Sequence, residues 1–389
     1  MGNIKQKLVV FRRKVLFFFV WPLVFDFYKR RPLNKKLILF AYNCNYSSMP
    51  DNMRSIFEYL KKKGYTCVEM ASPQSGFKRL FFNLKFQKYY AVCRCVFLTD
   101  NFDPVYTHAP REGTRVIQLW HACGAFKKWG YSTADLAWGA SRENLDRFPM
   151  HNTYTDAFVS CADVIPCYAE AFGCEEKIIK PFGVPRTDVF FDSDFVAAQK
   201  AALKKLIPSI GNRKIILYAP TFRGNNPSEA YNENRLDFEK LCSALSGEYV
   251  LLLKLHPFTA EKFDLTEEEK EKFGNFVFNV SKLVNTDTAL CCADILVADY
   301  SSLIFEFSLL ERPMLFFAYD LEEYDRDRSF YYDYKSFVPG KIVTDTDEII
   351  EAVQKSDFQK EKVRPFKEKF MSACDGNCTK RIADYAVSD

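Results

Sequence analysis

Residues 292–313, Cys-Ala-Asp-Ile-Leu-Val-Ala-Asp-Tyr-Ser-Ser-Leu-Ile-Phe-Glu-Phe-Ser-Leu-Leu-Glu-Arg-Pro, confine this chain to a small set of folds. They read as a buried strand that ends in two hydroxyls and passes at once into a helix. After Pro313 a second apolar run, Met314 to Tyr319, supplies the next strand. A strand, helix, strand unit of this kind belongs to a parallel sheet. It delivers Ser301 and Ser302 to the sheet mouth, where helix N–H groups and the positive dipole end favour a phosphate. The unit predicts a phosphorylated or nucleotide-activated substrate. Serine is also a routine N-cap, so other segments must decide between an anion site and an ordinary sheet unit.

At 389 residues the chain fits two domains of ordinary size plus an extension. Its 48% hydrophobic and 27% charged content is that of a globular protein with a full core, not of a disordered one. Thirteen cysteines are an odd count, scattered through apolar runs such as Cys161, Cys167, Cys242, Cys291 and Cys292. Reduced, buried thiols of a cytosolic protein follow from that, rather than a disulfide framework. Cys93 and Cys95 have the spacing of alternate strand residues, and no second pair follows to complete a zinc site.

The charge is distributed unevenly. Residues 1–36 carry ten basic residues and one acid, a net +9, which leaves −5 for the rest of a chain whose total is +4. Between the basic clusters lies the apolar stretch Val15 to Phe25, interrupted by Pro22 and too short to span a bilayer, which takes about 20 residues. Aromatic side chains flanked by cations suit an anionic membrane surface, each cation contributing roughly 1 kcal/mol there. An arm over 1–35 that dips into that surface is therefore expected, with an ordinary core segment as the competing reading. No small-residue cleavage site follows the stretch, as a signal peptide requires. The aromatics are not interleaved with charge as a nucleic-acid stacking platform would be, so no nucleic acid is expected. Gln6 stands where myristoylation needs Ser or Thr.

Beyond the arm the chain reads as two α/β halves: 36–192, a crossover at 193–212, and 213–370, followed by a tail over 371–389. In the first half, strands are expected at Leu37–Tyr42, Tyr90–Leu98, Thr114–Leu119 and Phe158–Val164, and a helix from Asp51, as its cap, to Lys63. A helix at Asp194–Leu206 leads to the second half, which opens with the apolar runs from Lys214 and Tyr249. Alternating strands and helices in both halves imply an α/β protein, two parallel-sheet domains facing a cleft.

Each apolar run ends in polar groups, and in an open parallel sheet those ends line the ligand crevice. Only four histidines exist, and His121 and His256 stand at such ends, one in each half, beside Arg223 and the serine pair. His108 and His151 fall in polar loops and read as surface residues.

Five ordered motifs carry a family resemblance. They are Trp-His-x-x-Gly-x-x-Lys-Lys-x-Gly at Trp120–Gly130, Gly-x-Pro-Arg-x-Asp at Gly183–Asp188, Tyr-Ala-Pro-Thr-Phe-Arg at Tyr218–Arg223, Lys-Leu-His-Pro at Lys254–Pro257, and Ala-Asp-Ile-Leu-Val-Ala-Asp-Tyr-Ser-Ser at Ala293–Ser302. A sixth runs from Arg312-Pro313 through Tyr319, Asp320 and Tyr324 to Arg328-Ser329-Phe330-Tyr331 and Pro339-Gly340. The set, spanning about residues 114–345, resembles the CDP-glycerol glycerophosphotransferases of bacterial teichoic-acid synthesis. Ala122-Cys123-Gly124 departs from the Gly usual directly after the first histidine, and Ser329 stands where Gly is common.

The resemblance implies a GT-B architecture of two Rossmann-like domains, with an acceptor domain first and a donor domain second. It implies peripheral attachment to the cytoplasmic face of the membrane and transfer of glycerol phosphate from CDP-glycerol to a lipid-linked acceptor hydroxyl, releasing CMP. His121 and His256 take the places of the family's catalytic histidines, with Thr221, Arg223, Lys254, Asp299, Ser301, Ser302 and Arg328 expected around the donor. A neutral histidine, of ordinary pKa about 6.5, suits His121 as the general base at pH 7. His256, Arg223 and the serines suit the developing phosphate charge, with Asp299 orienting their loop. Arg186 and Asp188 are expected to pin the interdomain connection. No carboxylate cluster requires a metal; no cofactor is expected, and a divalent cation is compatible with the site. CDP-ribitol as donor, or a nucleotide-sugar glycosyltransferase of the same architecture, are the alternatives.

Overall fold

The structure, a computed structural model, describes residues 2–388 except 45, 47, 75, 137–138, 225–228 and 232–233. The side chains of 2–6, with the expected charge of Lys5 and with Gln6, and that of residue 327 lie outside the described residues.

Two six-stranded sheets, parallel throughout, form the frame. The first contains β1 (Asn34–Tyr42), β2 (Thr66–Ala71), β3 (Cys93–Leu98), β4 (Arg115–Gln118), β5 (Asp156–Phe158) and β6 (Ile179–Lys180), in the order β2-β1-β3-β4-β5-β6. The second contains β7 (Lys214–Ala219), β8 (Tyr249–Leu253), β9 (Val277–Asn279), β10 (Ile295–Ala298), β11 (Met314–Phe317) and β12 (Lys341–Val343), in the order β12-β11-β10-β7-β8-β9. This is the doubly wound order of a dinucleotide-binding domain, with its switch point between β7 and β10. β3, β10 and β11 are buried along their whole length, as strands covered by helices on both faces must be.

Several boundaries differ from expectation. Tyr90 closes the helix Gly76–Tyr90, and its strand starts only at Cys93. β5 stops at Phe158, and Ala162–Val164 turns as a 3₁₀ segment ahead of a helix whose second residue is Pro166. The helix Asp51–Lys62 is preceded by Pro50 with no side-chain cap, so Asp51 lies in the first turn, where its charge still favours the dipole. The expected tail, as far as residue 388, packs on the first domain. Its helix Cys378–Ala386 buries Ile382, Ala383 and Ala386 in the first domain against Ile38, Phe40 and Phe97. Asp188 accepts from the N–H groups of Cys378 and Thr379 at 2.9 and 2.8 Å, capping that helix.

The N-terminal arm is helical from Gly2 to Lys29, and Pro22 does not break it. The turn before the proline widens to a π-helix over Leu16–Val20, where the Trp21 N–H reaches Leu16 O, so the helix continues past a residue that cannot donate. One face packs on the first domain: Phe17, Trp21 and Phe25 are buried, and Phe25 lies 5.1 Å, ring to ring, from Tyr90. Arg13 clamps the same side, pairing with Asp103 at 2.9 Å and covering the Phe148 ring. The opposite face stays open, with Phe19 63% and Leu23 68% exposed. The competing reading, a core segment, holds for one face of this helix, and the other face is apolar and exposed. No helix among the described residues is long and apolar enough to cross a membrane.

Of the two histidines expected at the surface, His151 is buried and His108 half-buried. His151 is 3% exposed and stacks near Phe172, and the His108 ring centroid lies 3.7 Å from that of Phe25. The arm and the helices of the first domain cover loops whose polar sequence promised exposure.

Candidate active site

A cleft of about 910 Å³ separates the domains. From the expected set it takes His121, Thr221, Lys254, His256, Ser301, Ser302 and Arg328 into one lining. Arg223 and Asp299 are not in that lining.

Asp299 sits at the switch point, buried behind the loop that follows β7. Thr221 donates to it through its backbone N–H at 2.9 Å and its hydroxyl at 2.8 Å. Arg223 donates to Asp299 at 3.0 Å and forks onto Asp320 at 2.7 and 3.1 Å, over the rings of Tyr300 and Tyr324. Burial works against its charge, but the two carboxylates more than offset this and hold the guanidinium protonated. Arg223, expected on the donor, stands outside the cleft lining as a strut between Asp299 and Asp320, behind Thr221.

Ser301 and Ser302 follow β10, as anticipated, with Asp299 and Tyr300 between. The Ser301 hydroxyl accepts from Leu303 N–H at 3.3 Å and so caps the helix Leu303–Ser308, whereas Ser302 makes no cap bond. That helix is only six residues long, so the hydroxyls matter more here than its dipole.

His121 follows a strained residue. Trp120 has φ +54°, a conformation that a bulky side chain adopts only under constraint. The constraint is visible: Asn52 Nδ2 and Thr99 Oγ1 donate to Trp120 O at 2.8 and 2.9 Å, and Gln118 Oε1 accepts from its N–H at 2.9 Å. His121 Nδ1 lies 3.3 Å from Thr99 O. A carbonyl only accepts, so the Nδ1 proton is fixed and Nε2 carries the lone pair. The ring is 45% exposed to the cleft, and the walls around it lower its pKa, which favours the neutral form at pH 7.

His256 shows the opposite arrangement. Its Nδ1 accepts from Phe258 N–H at 3.2 Å, which puts the proton of the neutral ring on Nε2. Burial, with Lys127 nearby, holds its pKa down to about 4. One histidine offers a lone pair and the other an N–H.

Lys254 lines the cleft, yet its ammonium donates to Ser281 O and Val284 O at 2.8 and 2.7 Å, and desolvation lowers its pKa. It ties down the loop after β9. Arg328 donates to Gly224 O. Next to it, Lys128 N–H donates to Ser329 O at 3.1 Å and Tyr331 N–H to Phe126 O at 2.9 Å. The first and sixth motifs are thus paired across the domains. Gly124 is required by this junction: φ is +60°, and a Cβ there would lie 2.2 Å from the Phe305 ring. Lys127, Asn52, Asp287 and Glu306 also line the cleft without having been singled out. Only the Lys127-Lys128 pair, inside the first motif, carried a signal for this. Among the described residues no group of three or more His, Cys, Asp or Glu could hold a metal.

Two doubly wound domains facing such a cleft make up the GT-B architecture. A sequence model of the CDP-glycerol:poly(glycerophosphate) glycerophosphotransferases matches residues 23–388, and the chain belongs to that family. The teichoic acid ribitol-phosphate primase of Bacillus spizizenii is 36% identical over 362 residues, 91% of each chain. The ribitol-phosphate polymerase TarL of Staphylococcus aureus is 41% identical over 286 residues, 73% of this chain, which spans only 50% of that relative's length. The solved structure of the wall teichoic acid polymerase TagF superposes with a TM-score of 0.77 at 22% identity, covering 99% of this chain and 97% of that one, a likeness of fold.

Proposed function

We propose that this enzyme transfers a polyol phosphate from a CDP-polyol to a hydroxyl of a lipid-linked acceptor, releasing CMP in the synthesis of a teichoic acid or related surface polymer. The observation that carries the reading is the pair of histidines with opposite proton placement in one cleft, beside the serine pair. His121 Nε2 accepts the acceptor hydroxyl proton as that oxygen attacks the polyol-bearing phosphorus. The new P–O bond forms as the bond to CMP breaks, CMP departs with the electron pair, and the proton leaves His121 for solvent. His256 Nε2–H and the Ser302 hydroxyl donate to the phosphate oxygens as charge gathers there. No step draws on a metal; a divalent cation on the diphosphate remains compatible with this scheme.

CDP-glycerol is the donor for which the family is named. CDP-ribitol is the second reading, favoured by the ribitol-phosphate relatives at 36% and 41% identity. The open face of the arm, with its surrounding cations, fits peripheral attachment to the cytoplasmic leaflet, an anionic surface. The deciding experiment offers CDP-glycerol, CDP-ribitol and UDP-sugars separately with a primed lipid acceptor and measures nucleotide release. CMP from one CDP-polyol, only with acceptor, supports the reading and chooses the donor. UDP release overturns it in favour of a glycosyltransferase.

A further inference from the structure

We infer that Asp100, acting with the Thr99 carbonyl, is the positioning residue that holds the His121 ring with its proton on Nδ1 and its lone pair on Nε2. The inference rests on His121 being the base and adds the group that makes it one. The loop after β3 brings both partners to the same ring nitrogen: Thr99 O lies 3.3 Å and Asp100 Oδ1 3.9 Å from Nδ1. The carboxylate is itself fixed, with Asn101 N–H donating to Oδ1 at 2.9 Å and the Tyr46 hydroxyl reaching Oδ2 at 3.4 Å. Its backbone is held as well, since Gln118 Nε2 donates to Asp100 O at 3.2 Å while Gln118 Oε1 fixes Trp120. One glutamine therefore sets the distance between the carboxylate and the histidine.

The chemistry follows from charge. When Nε2 takes a proton the ring becomes an imidazolium, and a carboxylate beside Nδ1–H stabilises that cation as it forms. Two charged groups act on His121 from different elements. Asp100, after β3, favours the protonated ring, and Arg186, on the 3₁₀ segment Pro185–Phe191, disfavours it. Arg186 is paired with Glu306 across the domain boundary, so Asp100 is the anion next to the base.

The test is Asp100→Asn in the full chain, which keeps the shape and removes the charge. The expected result is a loss of tenfold or more in kcat with the donor KM within about twofold, and a shift of the acidic limb of the kcat/KM profile to lower pH by about half a unit or more. Asp100→Glu should restore part of the rate and move the limb back. A uniform loss with an unmoved limb would overturn the inference. If Asp100→Asn fails to fold, imidazole ¹⁵N spectra of the wild-type and Asp100→Glu proteins against pH decide it, with the His121 signal assigned by its loss in His121→Gln. A proton on Nε2 sinks the inference, and so does a His121 pKa that is the same in wild type and Asp100→Glu; a proton on Nδ1 with a pKa that moves between the two supports it. The base reading has its own control: an active His121→Ala enzyme removes that reading, whereas an inactive one combined with an unmoved Asp100→Asn limb removes only the role of Asp100.

Discussion

Arg186, on the 3₁₀ segment Pro185–Phe191 of the first domain, donates to Glu306, on the helix that follows the serine pair of the second. Glu306 is buried and Arg186 largely so, and neither Arg186 Nε nor Glu306 Oε2 finds a further partner among the described residues. The Arg186 backbone N–H in turn donates to Asn52 Oδ1 at 3.1 Å, and Asn52 Nδ2 donates to Trp120 O. A continuous chain of bonds thus runs from the serine helix to the residue before His121. Removing one partner strands a buried charge, which costs about 3–5 kcal/mol, whereas replacing both by apolar groups is often neutral. Arg186→Met and Glu306→Leu should each lower the urea midpoint sharply, and the double variant should recover most of that loss. Equal destabilisation by the double variant would show that the pair is not the source.

Replacing the base is the most direct challenge to the mechanism. His121→Ala should lower kcat by about 10²–10⁴ with an unchanged circular dichroism spectrum. A rate within tenfold of wild type would dismiss it as the general base.

His256 offers a finer test, because its proton is placed on Nε2. A glutamine amide can occupy the Nε2 position and donate, whereas asparagine reaches only the Nδ1 position. His256→Gln should therefore retain more activity than His256→Asn, and the reverse order would argue against donation from Nε2. Since burial holds the ring neutral above about pH 4, its titration should leave no mark on the rate between pH 6 and 8.

Burial also makes the fold sensitive to acid. Desolvation lowers His151 to about 3 and His108 to about 4 from an ordinary 6.5. Between those limits and pH 6.5 the unfolded chain binds more protons than the folded one, so stability falls as the pH drops. The loss begins near 6.5, is absent above about 7, and for a group as buried as His151 approaches 1.4 kcal/mol per pH unit, on the order set by one proton. Urea midpoints measured from pH 7.5 to 4.5 should show this slope. His151→Asn, which tolerates the positive φ of 60° at that position, should flatten it. An unchanged slope would clear His151.

Membrane attachment is best tested without deleting the arm, because deletion would also uncover the partners of Phe17, Trp21 and Phe25. Phe19→Glu with Leu23→Glu alters only the open face. The double variant should lose binding to anionic vesicles at low salt while keeping the wild-type unfolding midpoint. Undiminished vesicle binding would place the contact elsewhere.

Much of this architecture was legible in the residues. Long apolar strands such as Leu37–Tyr42 and the run into Ser301-Ser302 announce themselves, because a strand covered on both faces has no polar positions to confuse the pattern. The histidines could be placed at strand ends for the same reason. What could not be read was the direction of side chains after those ends. Arg223 looks like a phosphate ligand until the strands bring Asp299 and Asp320 around it, two carboxylates separated from it by 76 and 97 residues. His108 and His151 look exposed because loop polarity says nothing about what packs over a loop. Asp100 carried no local signal, since its meaning depends on a histidine delivered by the neighbouring strand.

The return of the helix Cys378–Ala386 to the first sheet gives the molecule a history as well as a shape. Residues from both ends of the sequence complete one domain, so during synthesis that domain cannot finish folding when its own strands have emerged. It waits, with Ile38, Phe40 and Phe97 partly uncovered, until the second domain has been made and the chain has crossed back. Chaperone dependence and sensitivity to premature termination should therefore be concentrated in the half of the protein that is translated first.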